Sequence, residues 1–182
     1  MTPIALNAKD ERYPVRLRER LGSNAPAQIA ALGNLDLLAL PKTALFCSAR
    51  CPGNAILAAY DQAAKWRDEG RCIISGFHSP VEKECLRILL RGKQPIIICP
   101  AHSLEKMRIP SEWKRPLDEG RMLILSAFDS KVHRPTTQLA QERNDFVAAL
   151  ADEIFISHAA PGSKTEAFVA DQRKQGKRIV TI

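Results

Sequence analysis

Residues 71–99 read Arg71-Cys-Ile-Ile-Ser75-Gly-Phe-His-Ser-Pro80-Val-Glu-Lys-Glu-Cys-Leu-Arg-Ile-Leu-Leu90-Arg-Gly-Lys-Gln-Pro95-Ile-Ile-Ile-Cys99. Two short apolar runs rich in isoleucine flank a longer stretch with helical punctuation. The runs are continuously apolar instead of alternating, which is what a strand needs when both of its faces are covered. Between them, Ser79 is placed to cap a helix, Pro80 suits its first position, Glu82 stands at the capping-box position and Gly92 marks its end. The segment therefore predicts strand, helix and parallel strand.

The same alternation extends in both directions. Thr43-Ala-Leu-Phe-Cys-Ser48, Met122-Leu-Ile-Leu-Ser126, Glu153-Ile-Phe-Ile-Ser157 and Arg178-Ile-Val-Thr-Ile182 are further strand-like runs. Residues 54–69, 136–150 and 163–175 carry helical periodicity, with Gly70 and Gly176 as stops. Six strands alternating with helices predict an α/β fold: a doubly wound, mostly parallel, six-stranded Rossmann-like sheet. The first forty residues differ. Tyr13-Pro14 is followed by Leu17, Leu21, Ile29, Leu32, Leu35, Leu37 and Leu38, which reads as one or two helices packed on the sheet. The expected organisation is a helical N-terminal extension over residues 1–40 and the Rossmann-like domain over residues 41–182.

Composition narrows the function. The chain has 182 residues, 45% apolar and 26% charged, as an ordinary folded domain does. Lys+Arg 27 against Asp+Glu 20 gives a net charge of +7, which favours polyanionic partners. No apolar run approaches the roughly 20 residues that cross a bilayer. Met1 to Arg20 has no apolar core of a secretory signal, and the 5 cysteines include no Cys-x-x-Cys pair. A reducing, cytoplasmic setting and no membrane association are the expectations.

In an open parallel sheet, ligands bind beyond the carboxyl ends of the strands. The residues following the runs are Ser48, Arg50, Gly53 and Asn54, then Ser75, Gly76, Phe77 and His78, then Ser126, then Gly162, Ser163 and Lys164. Small residues, helix N-termini and two fixed cations are the parts of a phosphate site. Each glycine taken alone could equally serve only a strand-to-helix turn. No Gly-x-Gly-x-x-Gly, no P-loop and no Gly-x-Ser-x-Gly occurs, which argues against dinucleotide cofactors, P-loop NTPases and α/β-hydrolases. His78, His102 and His158 fall on the rim near Cys51 and Cys99, but their spacing matches no zinc pattern, so no metal and no cofactor are expected. Carboxylates are scarce on the rim; Glu82 and Glu166 sit in first turns of helices, where they can serve the dipole, so no catalytic residue is assigned.

The order of these motifs resembles the Rossmann-like domain of the DNA-processing protein A family (DprA, also called Smf). The residues that carry it are Tyr13-Pro14, Gly33-Asn-Leu-Asp-Leu-Leu38, Cys47-Ser-Ala-Arg50, Ser75-Gly-Phe-His-Ser-Pro-Val-Glu82, Leu125-Ser-Ala127, Arg143-Asn-Asp-Phe-Val-Ala-Ala-Leu-Ala151 and Pro161-Gly-Ser-Lys-Thr-Glu166. The chain departs from the family pattern at Pro80 (usually glycine), Leu86 (histidine), Ala127 (glutamate) and Asp145 (arginine), and the family's C-terminal winged-helix module is not expected. A diverged, stand-alone member is the expectation.

What the resemblance implies is non-catalytic binding of single-stranded DNA in DNA processing or recombination, with a recombinase as possible partner and a homodimer as assembly. Arg50 would meet the DNA backbone, supported by Lys164 and the N–H groups after Ser75-Gly76 and Gly162-Ser163. The phosphate-binding set implied is Ser48, Arg50, Gly53, Asn54, Ser75, Gly76, Phe77, Ser126, Arg143, Asn144, Gly162, Ser163 and Lys164. Phe77 is either a stacking platform for a base or a core residue. Two rivals remain. Pro161 to Glu166 is similar to a shortened motif of the LOG-type nucleoside-monophosphate hydrolases, with Glu166 as acid–base group. A nucleotide-binding sensor without turnover is the other.

Overall fold

The apolar runs meet in one eight-stranded sheet in the computed structural model, which describes residues 2–181. In chain order the elements are β1 (Ile4–Asn7), α1 (Val15–Leu21), β2 (Gln28–Gly33), β3 (Lys42–Cys47), α2 (Gly53–Asp68), β4 (Cys72–Ser75) and α3 (Pro80–Leu90). There follow β5 (Ile96–Ile98), α4 (Ser111–Asp118), β6 (Met122–Ser126), α5 (Thr137–Leu150), β7 (Glu153–His158), α6 (Lys164–Lys174) and β8 (Ile179–Thr181). The order across the sheet is β1-β2-β6-β5-β4-β3-β7-β8. Strands β3 to β8 run parallel, and β1 and β2 join antiparallel at the β6 side.

The six expected strands are present, and the count rises to eight. The correction lies in the first forty residues. Gln28–Gly33 was expected to be helical but is a strand, with Ala30 opposite Ser126 and Gly33 opposite Leu123. Its Ile29, Ala31 and Leu32 fit a helical spacing as well as a strand. The unpaired edge of β6 decides between them, because its backbone groups need partners. Gly33 closes this strand at φ +110, where a Cβ would lie 2.3 Å from the Met122 carbonyl oxygen. Of the expected N-terminal helices, α1 forms; Leu35–Ala39 is a short 3-10 turn.

Alternate strand residues feed two cores. Ala44 and Phe46 of β3 pack with Phe146, Val147 and Leu150 of α5 and Phe168 and Val169 of α6. Leu45 and Cys47 pack on the opposite face with Ala59, Ala63 and Trp66 of α2 and with Val81, Cys85 and Leu89 of α3. Helix α4, not among the expected helices, is short and contains Pro116. From β3 the chain builds β4, β5 and β6 in one direction and then returns to place β7 and β8 on the other side. The reversal of strand order falls between β3 and β7. Among the described residues no helix is long and apolar enough to cross a membrane.

Candidate functional site

Beyond the carboxyl ends of β3 and β7, at that reversal, lies a cavity of about 800 Å³. Its wall includes Ser48 and Arg50 from the loop after β3, Arg143 and Asn144 from α5, and Gly162, Ser163 and Lys164 from the start of α6. Seven of the thirteen residues singled out in the sequence thus meet here.

Ser48 ties the two central strand ends together. Its N–H donates to the His158 carbonyl (2.9 Å), its Oγ accepts from the Ala160 N–H (3.1 Å), and it lies 3.3 Å from the Ser163 Oγ. The pairing of β3 with β7 shifts register between Phe46 and Cys47, just before this contact. Ser163 caps α6 by accepting from the Glu166 N–H (3.2 Å).

Glu82 braces the neighbouring loop. The expected capping box forms on α3, and the same carboxylate does more: Oε1 accepts from the Cys47 N–H (2.9 Å), and Oε2 from the N–H groups of His78 (2.8 Å) and Ser79 (3.2 Å). One buried carboxylate therefore fixes the end of β3 to the turn after β4. Burial pushes the Cys47 thiol up to about 12, so it is a neutral packing group here and not a nucleophile.

Arg143 forms part of the floor and is only 5% exposed. Its Nη1 donates to the Cys99 carbonyl (3.2 Å) and its Nε to the Asn144 Oδ1 (2.9 Å), which leaves most of its five donors uncommitted. Burial pulls its pKa down, and the charge of Glu82 opposes that pull. Arg50 and Lys164 are exposed on the rim. Three cations thus face a cavity whose one lining carboxylate, Glu82, is buried and already accepting three N–H bonds. Such a concave basic site attracts anions.

The other six residues lie off the wall. Ser75 is fully buried, donates to the Leu45 carbonyl (2.8 Å) and accepts from the Phe77 N–H (3.1 Å). Phe77, 5% exposed and at φ +45, belongs to the core beneath β4, so the packing alternative holds over a stacking platform. Ser126 is buried and donates to the His102 carbonyl (2.7 Å). Gly76 packs under the Arg143 guanidinium. Gly53 and Asn54 are exposed at the start of α2, outside the wall. The expected supply of free N–H groups is also corrected: Gly162 N–H donates to Glu166 Oε2 (2.8 Å) and Ser163 N–H to the Ala160 carbonyl (3.0 Å).

Sequence reasoning missed the segment before α5. Pro135, Thr136 and Thr137 line the cavity, with Thr136 capping the helix. The helix start was legible, but its position beside the reversal point depends on where β6 sits in the sheet. Among the described residues no group of three histidine, cysteine or carboxylate side chains gathers as a metal site.

The family model for DNA recombination-mediator protein A matches residues 5–182. The chain belongs to that family. The fold of DNA processing protein A from Streptococcus pneumoniae is similar over 98% of this chain and 62% of that one, with TM-score 0.77 at 22% identity. The chain thus spans less than two thirds of that DprA protein. DNA processing protein A from Helicobacter pylori, described for its single-stranded DNA binding mode, is similar over 100% of this chain and 80% of that one (TM-score 0.75, 20% identity). The molybdenum cofactor carrier protein of Chlamydomonas reinhardtii shares the fold more loosely, over 78% of this chain and 76% of that one (TM-score 0.53, 18% identity). Comparison with curated proteins gives no match. The expected family and the α/β fold with a mostly parallel sheet both stand; the DprA-type core is what positions the cavity.

Proposed function

We propose that this chain binds single-stranded DNA at the cavity between the ends of β3 and β7, without catalysis, in DNA processing or recombination. The observation that carries the reading is the convergence of Arg50, Arg143 and Lys164 on one concave wall at the strand-order reversal. Ser48, Asn144, Gly162 and Ser163 supply short polar and backbone surface beside them, suited to close approach of a phosphate. A recombinase as partner and a homodimer as assembly belong to the same reading; the family's description as a recombination mediator supports the first.

The hydrolase alternative is disfavoured by the position of its acid–base group. Glu166 faces a separate, smaller cavity of about 330 Å³ with His158 and Arg173, and is absent from the wall that holds Arg50 and Lys164. A nucleotide sensor would use the same wall, whose volume admits a mononucleotide.

The test is fluorescence anisotropy with labelled oligo-dT over a salt series, with duplex and AMP as competitors. The reading expects binding to the single strand, weaker binding to duplex, and an affinity that falls steeply with salt. No binding at low salt would remove it, and displacement by AMP at equal concentration would favour the sensor.

A further inference from the structure

The cavity at the strand-order reversal is also where three helices begin. Ser79 caps α3, Thr136 caps α5 and Ser163 caps α6, and all three residues line the wall. The positive ends of three helix dipoles therefore converge on one space. Each capping oxygen accepts a backbone N–H, from Glu82, Leu139 and Glu166 in turn, as Ser48 Oγ does from Ala160. A hydroxyl that accepts in this way still holds its own proton to donate. One such proton is taken up between Ser48 and Ser163; those of Ser79 and Thr136 have no acceptor among the described residues.

An independent observation comes from the floor. Arg143 is only 5% exposed, and its Nη1 and Nε are engaged by Cys99 and Asn144. Its Nη2 carries no hydrogen bond among the described residues. A buried cation with donors to spare is costly unless a ligand takes them. The side-chain acceptors beside it are occupied: Glu82 takes three N–H groups, and Asn144 Oδ1 takes the Arg143 Nε. The free groups at the floor are thus donors. A nucleobase edge offers donors as well as acceptors, whereas phosphate oxygens only accept.

Resting on the DNA-binding reading, we propose that this floor receives a terminal phosphate, the monoester at the end of a single strand, and that Arg143 selects it. A monoester carries about −1.5 to −2 charges at neutral pH and three terminal oxygens. A phosphodiester within the strand carries a single charge. Depth separates the two. Arg50 and Lys164 are exposed on the rim, within reach of a passing backbone, whereas Arg143 lies beneath them. An internal phosphate has a nucleotide on either side and reaches the floor only if the strand doubles back. A strand end enters directly, and the planar guanidinium suits its oxygens. AMP carries the same monoester without the strand that the rim holds, so it competes only in excess.

The test is competition anisotropy with oligo-dT of one length in four forms: 5′-phosphorylated, 3′-phosphorylated, hydroxyl-ended and circular. A phosphorylated form is expected to bind about 10-fold or more tighter than the hydroxyl-ended one, the worth of a charge-assisted contact. The circle should bind no tighter than the hydroxyl-ended strand, and the form that gains identifies the end. Arg143→Lys keeps the charge without the fork and should lose most of that gain. Arg50→Ala should weaken phosphorylated and hydroxyl-ended strands alike. The comparison of ends needs no variant, so it decides even where Arg143→Lys fails to fold. Equal affinity for all four forms would overturn the proposal and leave the DNA-binding reading in place; binding of none would remove both. A gain that persists in folded Arg143→Lys would also overturn it, because the selection would lie elsewhere.

Discussion

The guanidinium of Arg143 rests directly on Gly76: a Cβ at that glycine would fall 1.4 Å from Nη1 and 2.0 Å from Cζ. The missing side chain of one residue is thus the space that the other occupies. Gly76→Ala must displace the guanidinium from the Cys99 carbonyl and from the cavity floor. We expect destabilisation of about 1–3 kcal/mol, the range for overpacking a filled site, and a loss of oligo-dT affinity. Urea unfolding and anisotropy measure the two. Because the residues touch, the Gly76→Ala/Arg143→Ala double variant should lose less than the sum of the singles. Additive losses would mean that they act separately.

Arg50 is exposed and makes no side-chain ion pair among the described residues, so its removal should leave the fold intact. Arg50→Ala is expected to weaken oligo-dT binding by about 1.5–3 kcal/mol, as for a charge-assisted contact. The salt slope should fall by about one phosphate's worth. Lys164→Ala should act in the same direction. Unchanged affinity in both would place the DNA elsewhere.

Glu82 serves three backbone donors at once. Glu82→Gln keeps the shape but removes the charge and one acceptor oxygen. We expect a stability loss of about 2 kcal/mol, in the range for hydrogen bonds to a charged group, read as a lower urea midpoint. Binding should weaken too, because the end of β3 is no longer tied to the turn after β4. A midpoint identical to the parent's would show that water replaces the lost acceptor.

Burial pushes the thiols of Cys47, Cys72, Cys85 and Cys99 each up to about 12 from the ordinary value near 9. The unfolded chain therefore loses these protons first. Their contribution to stability is intact below pH 9 and is lost as pH rises from 9 towards 12. Each thiol can steepen the fall by up to about 1.4 kcal/mol per pH unit. Lys177 opposes this: burial, then Arg20 and Arg16, hold it at about 8, so its penalty, present below pH 8, fades between 8 and 10.5. Urea midpoints between pH 8 and 11 should turn downward above 9, and Cys72→Ala should make the descent shallower. A flat profile would contradict the burial of these thiols.

Much of the architecture was legible because β3 to β7 are covered on both faces, and continuous apolar runs are the signature of that environment. Ser79 and Glu82 announced a helix start, and both perform the expected capping. What periodicity could not convey was pairing across long separations. The spacing in Gln28–Gly33 fits a strand no better than a helix; it is a strand because β6 offers an open edge. The same limit applied to the site. Ser48, Arg50 and Lys164 could be placed on a rim from the ends of their strands. Whether Phe77 faces that rim depended on a left-handed backbone turn at φ +45, which aromatic residues rarely adopt. Arg143 was singled out by motif, but its burial over Gly76 was invisible without the sheet that brings the two together.

The antiparallel pairing of β2 with β6 also orders events during synthesis. The second strand leaves the ribosome early and must wait, with only β1 beside it, until the sixth has emerged, since Ala30 and Ser126 are neighbours only in space. A nascent chain in that interval carries an apolar hairpin with one edge open, the kind of intermediate that chaperones shield.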